Sequence, residues 1–146
     1  MQHGFGVETW EDGARYEGDF VNGLKQGSGK FEWKDGSCYI GEFQENKMQG
    51  KGQRTWKAGR KYDGEWLNNM MHGHGVLTQT NQAMYESDFR EDKKHGYGVY
   101  TWPDGRIYKG GFHEGKQHGE AEYTNSKGVT RKGIWNMGTR KKWLDD

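Results

Sequence analysis

The stretch that decides the fold is His95-Gly96-Tyr97-Gly98-Val99-Tyr100-Thr101-Trp102-Pro103-Asp104-Gly105-Arg106-Ile107-Tyr108-Lys109-Gly110-Gly111-Phe112. Asp104-Gly105 suits the two-residue turn with positive φ that closes a β-hairpin. Beyond the turn, Tyr108, Gly110 and Phe112 alternate with Lys109 and Gly111, so they share one face of a strand. The Gly-x-Gly of Gly96 and Gly98 marks the other arm. In the equivalent arm from Leu24 to Lys34, which is about three residues too long for its partner, the chain must bulge, and Gly27 and Gly29 are the expected place.

Moving outward in steps of 23 residues reproduces the hairpin without an insertion, at Tyr16, Tyr39, Tyr62, Tyr85 and Tyr108. Two residues after each tyrosine stand Gly18, Gly41, Gly64, Ser87 and Gly110, and four after stand Phe20, Phe43, Trp66, Phe89 and Phe112. A sixth copy begins with Gly133 and Trp135. Trp10, Trp33, Trp56 and Trp102 form a further column, and Asp12-Gly13 and Asp35-Gly36 repeat the turn. Asn22-Gly23 and Asn68-Asn69 mark the opposite hairpin end. No 3.6-residue period competes with this pattern before the C-terminus. Fixed periodicity of this kind predicts an all-β array of tandem hairpins. Its parts are a partial repeat 1–15, repeats 16–38, 39–61, 62–84, 85–107 and 108–130, and a terminal partial repeat with a cap, 131–146. The expected sheet is an elongated, twisted antiparallel meander of about twelve strands, roughly 55–60 Å long at about 4.8 Å per strand.

Glycine in a strand leaves a bare patch on which a neighbouring ring can lie. A side chain at Gly41 or Gly64 is therefore expected to cost more than one at Gly111, and Ser87 is expected to be a weak point. These columns closely resemble the MORN (membrane occupation and recognition nexus) repeat, Tyr-x-Gly-x-Phe/Trp followed by His-Gly-x-Gly and Trp-x-Asp-Gly. The resemblance runs from His3 to about Trp135, with departures at Ser87, Gln79, Gln82, Ala121, Asn125 and Arg131.

Composition agrees with a thin, ordered structure. The chain has 146 residues, of which 30% are hydrophobic, and a mean hydropathy of −1.27. Such polarity reads as disorder in most chains. Here it coexists with 25 Gly, 7 Trp, 8 Tyr, 6 Phe and a single Pro, which disorder does not favour. The net charge of +1 gives no field to draw nucleic acid. A single cysteine, Cys38, fits a reducing cytoplasmic setting. No apolar run approaches transmembrane length and no signal-peptide pattern opens the chain, so a soluble protein with at most peripheral membrane contact is expected.

Chemistry-bearing motifs are weak. None of the Gly-x-Gly pairs continues as a dinucleotide or phosphate loop. His3, His72, His95 and His118 share a column with Gln26 and Gln49, which favours hydrogen bonding over metal ligation or catalysis. His72 and His74 could share a metal, but no third ligand accompanies them. No cofactor, no metal and no enzymatic activity are expected, because each distinctive residue recurs in every repeat rather than forming one cluster.

The aromatic stripe is the stronger candidate. Tyr16, Tyr39, Tyr62, Tyr85 and Tyr108, with Trp33, Trp56 and Trp102, are read either as core or as an open groove that grips a helix or extended segment of a partner. Basic residues Lys93, Lys94, Arg131, Lys132, Arg140, Lys141 and Lys142 are candidate contacts for anionic phospholipid. The resemblance implies a scaffold or adaptor at a cytoskeletal or membrane-associated structure. The alternatives are a peripheral lipid-binding module and a targeting module of a longer enzyme. The strand at His3-Gly4-Phe5-Gly6 lacks a preceding Tyr-x-Gly-x-Phe strand, so a homodimer through that edge is also expected.

Overall fold

The computed structural model describes residues 3–144, and they are all β. The strands are β1 (Gly4–Thr9), β2 (Arg15–Val21), β3 (Leu24–Glu32), β4 (Cys38–Gln44), β5 (Lys47–Thr55), β6 (Lys61–Leu67), β7 (Met70–Thr78), β8 (Met84–Arg90), β9 (Lys93–Thr101), β10 (Ile107–His113), β11 (Lys116–Thr124), β12 (Thr130–Asn136) and β13 (Thr139–Trp143). Their order in the sheet is their order in the chain, an antiparallel meander. There are 13 strands rather than about twelve, because the expected cap continues the hairpin pattern as β12 and β13. No helix among the described residues is long and apolar enough to cross a membrane. The strands fall into two compact units that divide between Met71 and His72.

In the first unit the turn chemistry is as the sequence demands. Gly13, Gly36 and Gly59 take φ of 97°, 93° and 95°. The Asp12 and Asp35 carboxylates accept the amides of Ala14 and Ser37, each at 2.9 Å. At the other hairpin end, Asn46 and Asn69 adopt left-handed φ and their side-chain oxygens accept the amides of Lys25 and Met48 in the preceding repeat, at 2.8 Å. The bulge lies where Gly27 placed it. Between β2 and β3 the register passes from Gly18↔Gly29 directly to Phe20↔Lys25, and Gly27 takes φ 83°. The same jump occurs between β4 and β5, at Gly41 and Phe43.

The residue skipped by each jump explains the tyrosine column. The Tyr16 hydroxyl donates to the Asp19 carbonyl at 2.9 Å, and Tyr39 and Tyr62 do the same to Glu42 and Glu65 at 2.8 and 2.9 Å. The Tyr16 and Tyr39 rings reach those carbonyls by lying across glycines. A Cβ built at Gly29 would overlap the Tyr16 ring, and one at Gly52 would overlap Tyr39. The far sides of the Tyr16 and Tyr39 rings are closed by aromatics of their own repeat and the next. Tyr16 meets Phe20 and Phe43 edge-on at 5.1 and 5.2 Å, and Tyr39 meets Phe43 and Trp66 at 5.1 and 5.4 Å. Burying such a ring is worth about 2–3 kcal/mol, with about 0.5–1.5 kcal/mol more from edge-to-face contact.

The second unit repeats the ladder. Tyr85 packs between Phe89 and Phe112, and Tyr108 between Phe112 and Trp135, with centroids 4.8–5.2 Å apart. Their hydroxyls donate to the Asp88 and Gly111 carbonyls at 3.0 and 2.7 Å. The paired glycines tolerate one small intruder here: Ser87 faces Gly98 and Ala121 faces Gly110. Each of these cross-strand pairs keeps one glycine. Gly111 is not the permissive site expected from its place outside the columns. A Cβ there would strike the His118 carbonyl, because β10 and β11 close tightly where the register skips Gly111.

Candidate functional site

Cross-strand partners share a face, so the register divides the side chains of each unit into two sets. One set carries the tyrosine ladder. All five column tyrosines are 0% exposed, their hydroxyls are engaged internally, and they offer no surface to a partner. The groove reading of Tyr16, Tyr39, Tyr62, Tyr85 and Tyr108 is therefore corrected to core, because neighbouring rings and small residues leave none of their surface open.

Above this core the same face leaves a second tier of rings partly open. In the first unit it comprises Trp10, which is 37% exposed, and the half-buried Phe31, Trp33 and Trp56. Trp10 and Phe31 stack at 5.4 Å, and Phe31 and Trp33 at 4.8 Å. The guanidinium of Arg54 lies 4.2 Å from the Trp33 ring and 4.8 Å from Trp56. Arg60 covers Trp56 at 4.9 Å, and the Lys25 ammonium sits 5.4–5.7 Å from Trp10, Tyr16 and Phe31. Burial pushes the Lys25 pKa down, against the opposing pull of Glu8. Trp33, Ser37 and Arg54 line an open hollow of about 540 Å³ with Asp12 and Asp35 at its margin. The Ser37 hydroxyl and amide hold the Asp35 carboxyl below its usual range, and Lys57 and Arg54 add to this.

The second unit builds the tier from Tyr100, Trp102, Tyr123 and Trp143. Tyr100 and Trp102 lie 4.6 Å apart, Arg106 covers Trp102 at 4.9 Å, and Lys94 approaches Tyr85 and Tyr100 at 5.6 and 5.8 Å. Arg131 and Arg140 bracket Trp143 at 4.2 and 4.5 Å. These stacks were not foreseen. The signal was available, since Arg54 stands 23 residues after Phe31 and before Leu77, between two apolar residues of its column.

The basic residues proposed for lipid do not gather as their sequence adjacency suggests. Successive strand residues point to opposite faces, so Arg131 stacks on Trp143 while Lys132 faces the Tyr97, Lys109 and Glu120 side. Lys94 turns to the aromatic face while Lys93 pairs with Glu114 at 3.0 Å. Lys142 sits across from Ile134, and Arg140, Lys141 and Lys142 remain exposed along β13. The histidine column does what its exchange with glutamine implied: Gln26, Gln49 and His118 each accept a turn amide of the next repeat, at 3.0, 3.1 and 3.2 Å. His74 lies near Glu86 and Asp88, at 3.6 and 3.9 Å. Among the described residues no cluster of three His, Cys, Asp or Glu is arranged to hold a metal.

The MORN repeat family matches the chain six times, at residues 1–15, 16–38, 39–59, 62–84, 85–105 and 108–130. No curated protein matches it.

Proposed function

Since the chain belongs to the MORN repeat family, whose repeats serve membrane and protein association, we propose that it is a non-catalytic scaffold whose docking surface is the aromatic–cationic tier above the tyrosine ladder. One observation carries this reading. On a face whose tyrosines already supply the core, Trp10, Trp33, Trp56 and Trp102 keep part of their rings in solvent, with cations poised over them. Rings that are fixed at one side and open at the other lose little entropy when a partner covers them, which is the character of binding hot spots. The occupant is a helix or extended segment of a protein held at a cytoskeletal or membrane-associated structure in the cytoplasm. Anionic phospholipid is the second reading, and the division of Arg131 from Lys132 between faces favours the first.

Affinity capture with the intact chain tests the surface. Trp33→Ala and Trp102→Ala are expected to lose the captured protein. Ile40→Ser and Tyr97→Ser, on the opposite face and 52% and 64% exposed, are expected to retain it. Loss on the Ile40 and Tyr97 side alone would move the docking surface to the other face.

A further inference from the structure

Trp10, Trp33 and Trp56 stand 23 residues apart at the same place in three successive hairpins of the first unit, and the contacts between them turn that spacing into a length. Phe31 lies between Trp10 and Trp33, 5.4 and 4.8 Å from their ring centres, and the Arg54 guanidinium lies between Trp33 and Trp56 at 4.2 and 4.8 Å, so successive tryptophans are at most about 10 and about 9 Å apart. Two antiparallel strands side by side occupy the same distance, about 9.6 Å. The rings therefore form an evenly spaced row that runs across the strands. Trp66 donates its indole N–H to the Gly52 carbonyl at 3.0 Å, whereas among the described residues those of Trp10, Trp33 and Trp56 have no acceptor. The Asp12 and Asp35 carboxylates at the nearby turns already accept the amides of Ala14 and Ser37. Around the hollow beside Trp33, these two carboxylates stand against Lys34, Arg54 and Lys57, which leaves little net charge.

From this spacing and donor pattern we infer that the segment held by the tier of the first unit is uncharged and proline-rich, and lies across the strands as a polyproline II helix with one proline per turn against each tryptophan. This rests on the reading of the tier as the docking surface and specifies its occupant. A polyproline II helix has three residues per turn and rises about 3.1 Å per residue, so every third side chain returns to the same side after about 9.3 Å. Two such turns cover about 19 Å, the length of the row from Trp10 to Trp56. The other regular conformations fit it less well. An α-helix returns every 5.4 Å or so, and four turns overshoot the last ring by about 2 Å. A β-strand returns after about 6.7 Å and misses the middle ring. Polarity makes the same choice. Polyproline II carbonyls have no internal partner and proline has no N–H, so the segment brings acceptors to a row of indole donors and asks for no acceptor in return. Its backbone is ordered before it binds, which lowers the entropy lost on docking.

Three labelled peptides of twelve residues, followed by fluorescence anisotropy with the intact chain, provide the test: dodecaproline, a peptide of four prolines and eight alanines with proline at every third position, and one with the same four prolines in a single block. Dodecaproline and the spaced peptide are expected to bind, and the blocked peptide about tenfold more weakly, because its prolines reach fewer rings. Salt should leave these affinities unchanged, since the probes carry no side-chain charge. Trp33→Ala and Trp56→Ala should weaken dodecaproline about tenfold, and Ile40→Ser and Tyr97→Ser should not. Should a tryptophan variant fail to fold, nuclear magnetic resonance of the unmodified chain still decides. Dodecaproline should shift the indole N–H signals of Trp10, Trp33 and Trp56 and spare that of Trp66, whose hydrogen bond to Gly52 is internal. A chain that ignores dodecaproline, or binds the spaced and blocked peptides equally, while Trp33→Ala still loses the captured protein, would leave the docking surface standing and overturn this inference. Shifts at Ile40 and Tyr97 with the indole signals unmoved would overturn the surface as well.

Discussion

Gly52→Val is expected to destabilise the fold by about 3–5 kcal/mol, a large share of the roughly 5–15 kcal/mol that holds a domain together. The first atom of the new side chain would occupy the space of the Tyr39 ring. The backbone cannot yield, because Gly52 is paired with Gly41 on one side and Gly64 on the other. The ring must leave, which forfeits about 2–3 kcal/mol of burial and about 1 kcal/mol for the hydroxyl bond to the Glu42 carbonyl. Its departure also uncovers Phe43 and Trp66, which it joins edge-on. Urea unfolding measures the effect, with Lys51→Val as reference. Lys51 is adjacent and exposed, and its replacement should shift stability by no more than about 0.5 kcal/mol. Similar values for the two variants would refute the packing of the ring on the glycine.

Alkali should unfold the chain steeply between about pH 10 and pH 12. Burial pushes Tyr16 and Tyr108 up to about 12 and raises Tyr39 and Tyr85 as well; nearby Asp19 and Glu42 carboxylates reinforce the rise at Tyr16 and Tyr39. An unfolded tyrosine titrates near 10. Below that pH both states hold the proton and stability is complete. Above it the unfolded chain releases the proton and the folded chain does not, so each such tyrosine removes up to about 1.4 kcal/mol per pH unit until its folded pKa is passed. With several rings acting together, phenolate absorbance and loss of β circular dichroism should rise in one cooperative step. Smooth ionisation of all the tyrosines near pH 10, with the dichroism unchanged, would contradict their burial.

These expectations show where the sequence was legible. Spacing of 23 residues, Asp-Gly turns and the alternation of Tyr, Gly and Phe determine the hairpins, because turn type and side-chain period are local properties. Gly27 marked the bulge for the same reason: its positive φ is a backbone demand that glycine meets best. The fate of Tyr16 was not local. Alternation says which face the ring is on, but its closure depends on Phe43, contributed by the next repeat. Adjacency likewise misled for Arg131 and Lys132, which the pleat sends to opposite faces. Gly111, outside the glycine columns, is confined by a carbonyl that comes near only after the register skips. The cation stacks of Arg54 and Arg106 required both a column and a cross-strand partner to be known.

The central claim is that tyrosines build the core of this face while the tryptophan and arginine tier above them meets the partner. Hydroxyl-radical footprinting of the chain, alone and with its captured protein partner, addresses both halves. Trp10, Trp33, Trp56 and Trp102 should oxidise in the free chain and become protected in the complex, while Tyr16, Tyr39, Tyr62, Tyr85 and Tyr108 stay silent in both. Oxidation of the column tyrosines in the folded free chain, or protection that falls on Ile40 and Tyr97 while the tryptophans remain reactive, would contradict it.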